Sequence, residues 1–168
     1  MGCSVDEIQE PVLLIDEHGV KHCSLEFVRE FFTKADKDKS GEVDIDELVS
    51  LLMTLGMEIN HNTGRDIAAT IQIADDNENQ TLEFEEFKQF LYSFLNAPAN
   101  DLPSILFYVG DRDESNTIDE AELFKILKKV GAKASEEQVR ELMKVLKGDK
   151  EGIDFPTFRN LLEKLGVI

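Results

Sequence analysis

Three stretches of the chain place oxygen-bearing side chains at the same offsets. In the first, Asp36, Asp38, Ser40, Asp44 and Glu47 take positions 1, 3, 5, 9 and 12 of a twelve-residue run, with Gly41 at 6, Glu42 at 7 and Val43 at 8. In the second, Asp75, Asn77, Asn79, Glu83 and Glu86 take the same positions, with Gln80 at 6, Thr81 at 7 and Leu82 at 8. The third has Asp111, Asp113, Ser115, Asp119 and Glu122, with Asn116 at 6, Thr117 at 7 and Ile118 at 8. Such a donor set suits a hard cation that takes about six to eight oxygens at roughly 2.3 to 2.6 Å, as Ca²⁺ does.

No single helix or strand can converge so many oxygens on one point, but a loop can. Side chains at 1, 3 and 5 approach from one side, and the backbone carbonyl at 7 and the side chain at 9, through a water, fill the equator. Both oxygens of the glutamate at 12 close the shell. Position 6 needs a positive φ, which Gly41 adopts freely. Gln80 pays on the order of 1 to 2 kcal/mol there, and Asn116 tolerates it better. The spacing therefore grades the loops, with the first strongest, the third close behind and the second weaker.

A fourth repeat keeps the frame without the donors. With Ile153 at position 8, positions 1, 3, 5 and 12 are Leu146, Gly148, Lys150 and Thr157, and no metal is expected there. The four loops begin near 36, 75, 111 and 146, so the spacings of 39, 36 and 35 residues fit one helix-loop-helix unit per repeat.

In this pattern the chain resembles the EF-hand superfamily of calmodulin and troponin C over residues 24–168. The resemblance implies an all-α fold of four helix-loop-helix units in two paired lobes, with short antiparallel β bridges between paired loops. It also implies Ca²⁺ at three sites, with Mg²⁺ as a resting occupant to consider, and a target protein that lays an amphipathic helix in a hydrophobic groove.

The helices must position these loops. Ser24 is expected to cap a helix with Leu25, Val28, Phe31 and Phe32 on one face. Leu48, Leu51, Leu52 and Leu55 follow the first loop, and Thr63 is read as the cap of a helix carrying Ile67, Ile71 and Ile73. Phe87, Phe90, Leu91 and Phe94 leave the second loop, and Ser135 with Gln138 forms a capping box. One helix-loop-helix cannot bury its apolar face alone, so the units should pair. Val43 should then meet Leu82, and Ile118 should meet Ile153.

Two prolines between Asn96 and Pro103 argue against a continuous helix. The expected organisation is an amino-terminal extension at 1–23, a first lobe at 24–96, a linker at 97–103 and a second lobe at 104–168. Within the extension, Val12, Leu13, Leu14 and Ile15, then Asp16 to Gly19, then Val20 suggest a short strand and turn of a hairpin, read either as a floppy or packed extension or as Leu13 to Ile15 occupying a lobe's groove.

Composition excludes other classes. A formal net charge of -17 argues against nucleic acid, and three bound divalent cations would bring it to -11. Cys3 and Cys23 form no C-x-x-C pair, and Asp6, Glu7 and Glu10 do not suit a secretory signal, so a reduced cytoplasmic protein is expected. No apolar run reaches the roughly 18 residues of a membrane helix. Gly2 and Cys3 invite comparison with acylated sensors, but Asp6 stands where the myristoylation pattern asks for Ser or Thr. His18, His22 and His61 read as exposed loop residues. No nucleophile and base stand in a recognisable arrangement, so no enzymatic activity is expected. The function expected is a calcium sensor acting on a target protein, with a calcium buffer or a constitutively bound light-chain-like subunit as the alternative.

Overall fold

The structure, a computed structural model, describes residues 13–54, 61–98 and 101–168. Cys3, Gly2, Leu55 and Gly56 lie outside these ranges. The first described element is a hairpin in which β1 (Leu13–Ile15) runs antiparallel to β2 (Lys21–Cys23), pairing Leu13 with Cys23. Asp16 builds its turn, its Oδ1 accepting from the N–H groups of His18 at 2.8 Å and Val20 at 3.0 Å, as short acidic side chains do in tight turns. Leu14 and Ile15 are exposed. The hairpin therefore does not fill a lobe's groove with these side chains.

Among the described residues, eight helices follow. Ser24 caps α1 (Leu25–Ala35) by accepting from the Phe27 N–H at 3.2 Å. Its buried face is Val28, Phe31 and Ala35, whereas Leu25 projects from the first turn, beyond the reach of the core. The next helices are α2 (Ile45–Thr54), α3 (His61–Ala74) and α4 (Phe84–Asn96). Because α3 begins at His61, Thr63 sits inside the helix and is not its cap, and His61 is helical rather than part of a loop.

The helical path breaks after Asn96 and resumes in α5 (Leu102–Gly110). Pro103 is accommodated in the first turn of α5, where its missing N–H would have had no helical partner. Then come α6 (Glu120–Lys129), α7 (Glu136–Lys147) with the Ser135–Gln138 capping box, and α8 (Phe155–Lys164), capped by Asp154.

The paired loops meet as the position-8 residues require. Strand β3 (Val43–Asp44) pairs with β4 (Thr81–Leu82), placing Val43 opposite Leu82. Ile118 and Ile153 exchange two backbone hydrogen bonds of 2.9 Å. All four side chains at these positions are buried.

Two hydrophobic clusters lie behind the loops. In the first, Phe87 packs against Phe31 and Phe32; in the second, Phe107 packs edge-on against Phe155 and Phe158. Each fully buried large side chain contributes about 1.5 to 3 kcal/mol relative to exposure. Helix α5 feeds both clusters, Ile105 and Val109 facing the first and Leu106 and Phe107 the second. It packs closely along α4, so the two lobes are in direct contact.

Candidate metal centres

Each loop starts where an entering helix ends. The N–H of Asp36 donates to Phe32 O, that of Asp75 to Ile71 O and that of Asp111 to Phe107 O, which fixes the first donor of each loop to rigid backbone. The exiting helices α2, α4 and α6 carry the last donors, Glu47, Glu86 and Glu122, in their first turns. There a negative charge also meets the positive end of the helix dipole.

Closely similar hydrogen bonds recur in all three loops, differing in that the glutamate at position 12 meets the N–H of position 3 in loop 1 and of position 2 in loops 2 and 3. The N–H at position 6 donates to the second carboxylate oxygen at position 1: Gly41 to Asp36 at 2.9 Å, Gln80 to Asp75 at 2.8 Å and Asn116 to Asp111 at 2.9 Å. The glutamate at position 12 spans its loop. Glu47 accepts from the N–H groups of Asp38 and Asp44, Glu86 from those of Asp76 and Glu83, and Glu122 from those of Arg112 and Asp119. Position 6 is left-handed throughout, with φ of 87° at Gly41, 68° at Gln80 and 63° at Asn116. The two non-glycine residues thus carry the backbone cost expected from their side chains.

The donors converge in two acidic clusters. Oxygens of Asp36, Asp38 and Glu47 lie within 4.8 Å of one another, and so do those of Asp111, Asp113 and Glu122. In loop 1, Ser40 and Asp44 flank the cluster, and the Glu42 carbonyl accepts from Ser40 Oγ at 2.9 Å. In loop 3, Ser115, the Thr117 carbonyl and Asp119 stand in the same relation. Burial pushes the carboxyl of Asp111 up to about 6 and that of Glu122 up to about 7. Crowded, desolvated carboxylates of this kind fit a site that a divalent cation completes.

Loop 2 offers one carboxylate fewer at the ligand positions, since Asn77 stands where the other loops have Asp38 and Asp113. The Asn77 side chain donates to Glu83 at 3.3 Å, Asn79 Oδ1 accepts from the Thr81 N–H, and Thr81 Oγ1 donates across the strand pair to Glu42 at 2.5 Å. One atom here is unsatisfied, because Asp75 Oδ1 is buried with no hydrogen-bond partner. An orphaned carboxylate oxygen costs on the order of 1 to 3 kcal/mol, which a bound cation would offset.

Loop 4 serves loop 3 sterically. A Cβ at Gly152 would lie 2.8 Å from Ile118 O and 2.9 Å from Thr117 Oγ1. Only glycine lets the two backbones approach this closely. Among the described residues, no cluster of three acidic or other metal-binding side chains falls in loop 4.

Several residues around the loops escaped sequence reasoning. His22 was expected to be exposed; instead its Nδ1 lies 2.8 Å from Glu114 Oε2, its Nε2 lies 2.9 Å from Asp16 Oδ2, and its ring stacks on Tyr92. The Tyr92 hydroxyl donates to Asp111 Oδ2 at 3.1 Å. Asp76 pairs with Arg112 and with Lys129. Burial works against the Asp76 anion, but these two cations outweigh it and hold the carboxyl below its usual range. Apart from the His22–Asp16 contact within the hairpin, these contacts join separate elements of the chain, and no local pattern announces them.

Helix, twelve-residue loop and helix, paired through position 8, define the EF-hand class. An EF-hand domain-pair model matches residues 25–92, and a second EF-hand domain-pair model matches residues 78–124 and 114–165. The chain belongs to the EF-hand superfamily and is a calcium-binding EF-hand protein. It is 32% identical over 134 residues to a probable calcium-binding protein of Arabidopsis thaliana, covering 78% of this chain and 79% of the relative. It is 26% identical to the calcineurin B protein of Candida glabrata, over 97% of this chain and 92% of the relative. A myosin regulatory light chain of Physarum polycephalum is 28% identical, over 83% and 92% of the two chains. None of the described helices is long and apolar enough to cross a membrane.

Proposed function

We propose that the protein is a three-site Ca²⁺ sensor that binds and regulates a target protein when loaded. The ligands are Asp36, Asp38, Ser40, the Glu42 carbonyl, Asp44 and Glu47 in the first site. Asp75, Asn77, Asn79, the Thr81 carbonyl, Glu83 and Glu86 form the second, and Asp111, Asp113, Ser115, the Thr117 carbonyl, Asp119 and Glu122 the third. The observation that carries this reading is the bridging glutamate at position 12, which in each loop accepts from an N–H near the loop's start and from the N–H at position 9 while belonging to the exiting helix.

The cation supplies two positive charges that let the carboxylates of one loop draw together. Everything else belongs to the chain. Glu47, Glu86 and Glu122 are fixed to the first turns of α2, α4 and α6, so a change in carboxylate position is transmitted to those helices. The buried aliphatic pairs Val43–Leu82 and Ile118–Ile153 keep the loops back to back during such a change.

The partner we expect is an amphipathic helix of a target protein lying on apolar surface that the exiting helices uncover, in the cytoplasm and without enzymatic activity of this chain's own. Mg²⁺ is the resting competitor. A second reading, a permanently held subunit, is favoured by the likeness to the calcineurin B protein and the myosin regulatory light chain. Fluorescence of an environment-sensitive apolar dye, titrated with Ca²⁺ in the presence of Mg²⁺, separates the two. A rise that chelator reverses supports the sensor; no change with all sites filled supports the permanently held form.

A further inference from the structure

Loops 1 and 2 face each other across β3 and β4, but loop 3 faces a loop without ligands. The usual route by which one ion site could inform its neighbour is therefore absent on that side. Loop 3 has another neighbour. Taking both loops as ion sites, as proposed above, we infer that the sites at 75–86 and 111–122, on opposite sides of the lobe boundary, are coupled, with Gln89 and Tyr92 acting as positioning residues for Asp111.

Two independent paths join the sites. The first is helix α4. Glu86 stands in its first turn, and Gln89 and Tyr92 follow at intervals of three residues, which places them on neighbouring parts of one helix face. Gln89 Nε2 lies within hydrogen-bond distance of three carbonyls at the end of α5 and the start of loop 3, those of Tyr108, Val109 and Asp111, at 3.3, 3.1 and 3.2 Å. Tyr92 then donates to the Asp111 carboxylate. Both Gln89 and Asp111 are buried, so these bonds are not exchanged freely for water. Tyr92 does not compete for the whole ligand. It binds Oδ2, the oxygen already held by the Asn116 N–H, and leaves Oδ1 directed toward Ser115.

The second path runs from loop to loop. The N–H of Asp76 donates to Glu86 Oε1, and the N–H of Arg112 donates to Glu122 Oε1. These two position-2 residues are joined by their own side chains, since Arg112 pairs with Asp76. The closing glutamates of the two sites are thus the ends of one bonded series, Glu86, Asp76, Arg112 and Glu122. Lys129 of α6 adds a further contact to Asp76 at 2.6 Å.

When site 2 is filled, Glu86 is fixed, and with it the register of α4 and the position of Asp76. Both hold Asp111 and Glu122 nearer to the arrangement in which site 3 closes. The coupling is therefore positive. It is also reciprocal, because linkage requires each site to change the other's affinity by the same factor.

A double-mutant cycle tests this. Ca²⁺ binding at site 3 is followed through the amide resonance of Asn116 during titration, while calorimetry counts the ions bound. Glu86→Gln is expected to remove one ion and to weaken site 3 by about fivefold or more, the lower range of measured coupling. In an Asp76→Asn, Tyr92→Phe background, Glu86→Gln is expected to change site 3 by less than twofold. An unchanged Asn116 titration in Glu86→Gln, with one ion lost, overturns the coupling. A full ion count in Glu86→Gln overturns the site assignment instead. Asp75→Asn gives the same comparison if Glu86→Gln does not fold in chelator.

Discussion

His22 and Glu114 are joined at 2.8 Å although 92 residues separate them in the chain. The hairpin is thereby fastened to the side of loop 3. Asp16 holds the other ring nitrogen, Tyr92 stacks beneath the ring, and Asn96 exchanges hydrogen bonds with the backbone of Lys21.

This fastening should depend on pH. Burial disfavours the imidazolium of His22, but its bonds to Asp16 and Glu114 outweigh that, and its pKa is raised above 6.5. A raised histidine stabilises the folded arrangement fully below its unfolded pKa and loses that contribution as pH rises through the folded value. Asp16 has a lowered pKa and stays charged across this window. The thermal midpoint of the wild type relative to His22→Gln should therefore be higher at pH 6 than at pH 8.5. Equal differences at both pH values would show that the ring acts by packing alone.

Glu47→Gln should lower the number of Ca²⁺ ions bound by one in calorimetry, because a single amide oxygen cannot replace the two carboxylate oxygens that close loop 1. An undiminished count would refute the assignment of that loop.

At Gln80 the left-handed backbone, φ 68°, strains a residue with a Cβ. Gln80→Gly should relieve about 1 kcal/mol and tighten site 2 roughly fivefold to tenfold. The corresponding Asn116→Gly should gain less, since Asn tolerates this region. Site-resolved titration by NMR distinguishes the two, and equal gains at both sites would contradict the ranking.

Gly152→Ala should destabilise the second lobe by about 1 to 3 kcal/mol, the usual range for overpacking. The new methyl would press on Ile118 O, which is backbone and cannot rotate aside. Chemical denaturation in chelator reports the loss directly, and a neutral result would mean that loop 4 can retreat without disturbing the Ile118–Ile153 bridge.

The loops and their pairing were legible because their rule is local. Each repeat reads as an apolar helix, a polar run and a second apolar helix, and one aliphatic residue at position 8 marks the bridge, so the Val43–Leu82 and Ile118–Ile153 pairings follow from the sequence. The end of α4 was legible from Pro98, whereas Pro103, read as part of the same break, lies in the first turn of α5. Gln89 was not legible, because nothing in its neighbourhood shows that three carbonyls around residues 108–111 will face it. His22, Asp76 and Gly152 share that limitation: each acquires its role from a partner brought near only by the completed fold. Leu25 shows the reverse error, since it matches the helical period but lies past the end of the core it should have joined.

The close packing of α4 along α5 has a consequence for the manner of recognition. Enclosing a partner helix between separated lobes would require breaking the Asp76–Arg112 pair, withdrawing Gln89 from its carbonyls and exposing the apolar side chains that α5 shares between both clusters. A ligand laid along one outer surface asks for none of this. The α4–α5 contact thus favours recognition along one surface over enclosure between separating lobes, and a binding partner should leave a one-sided footprint.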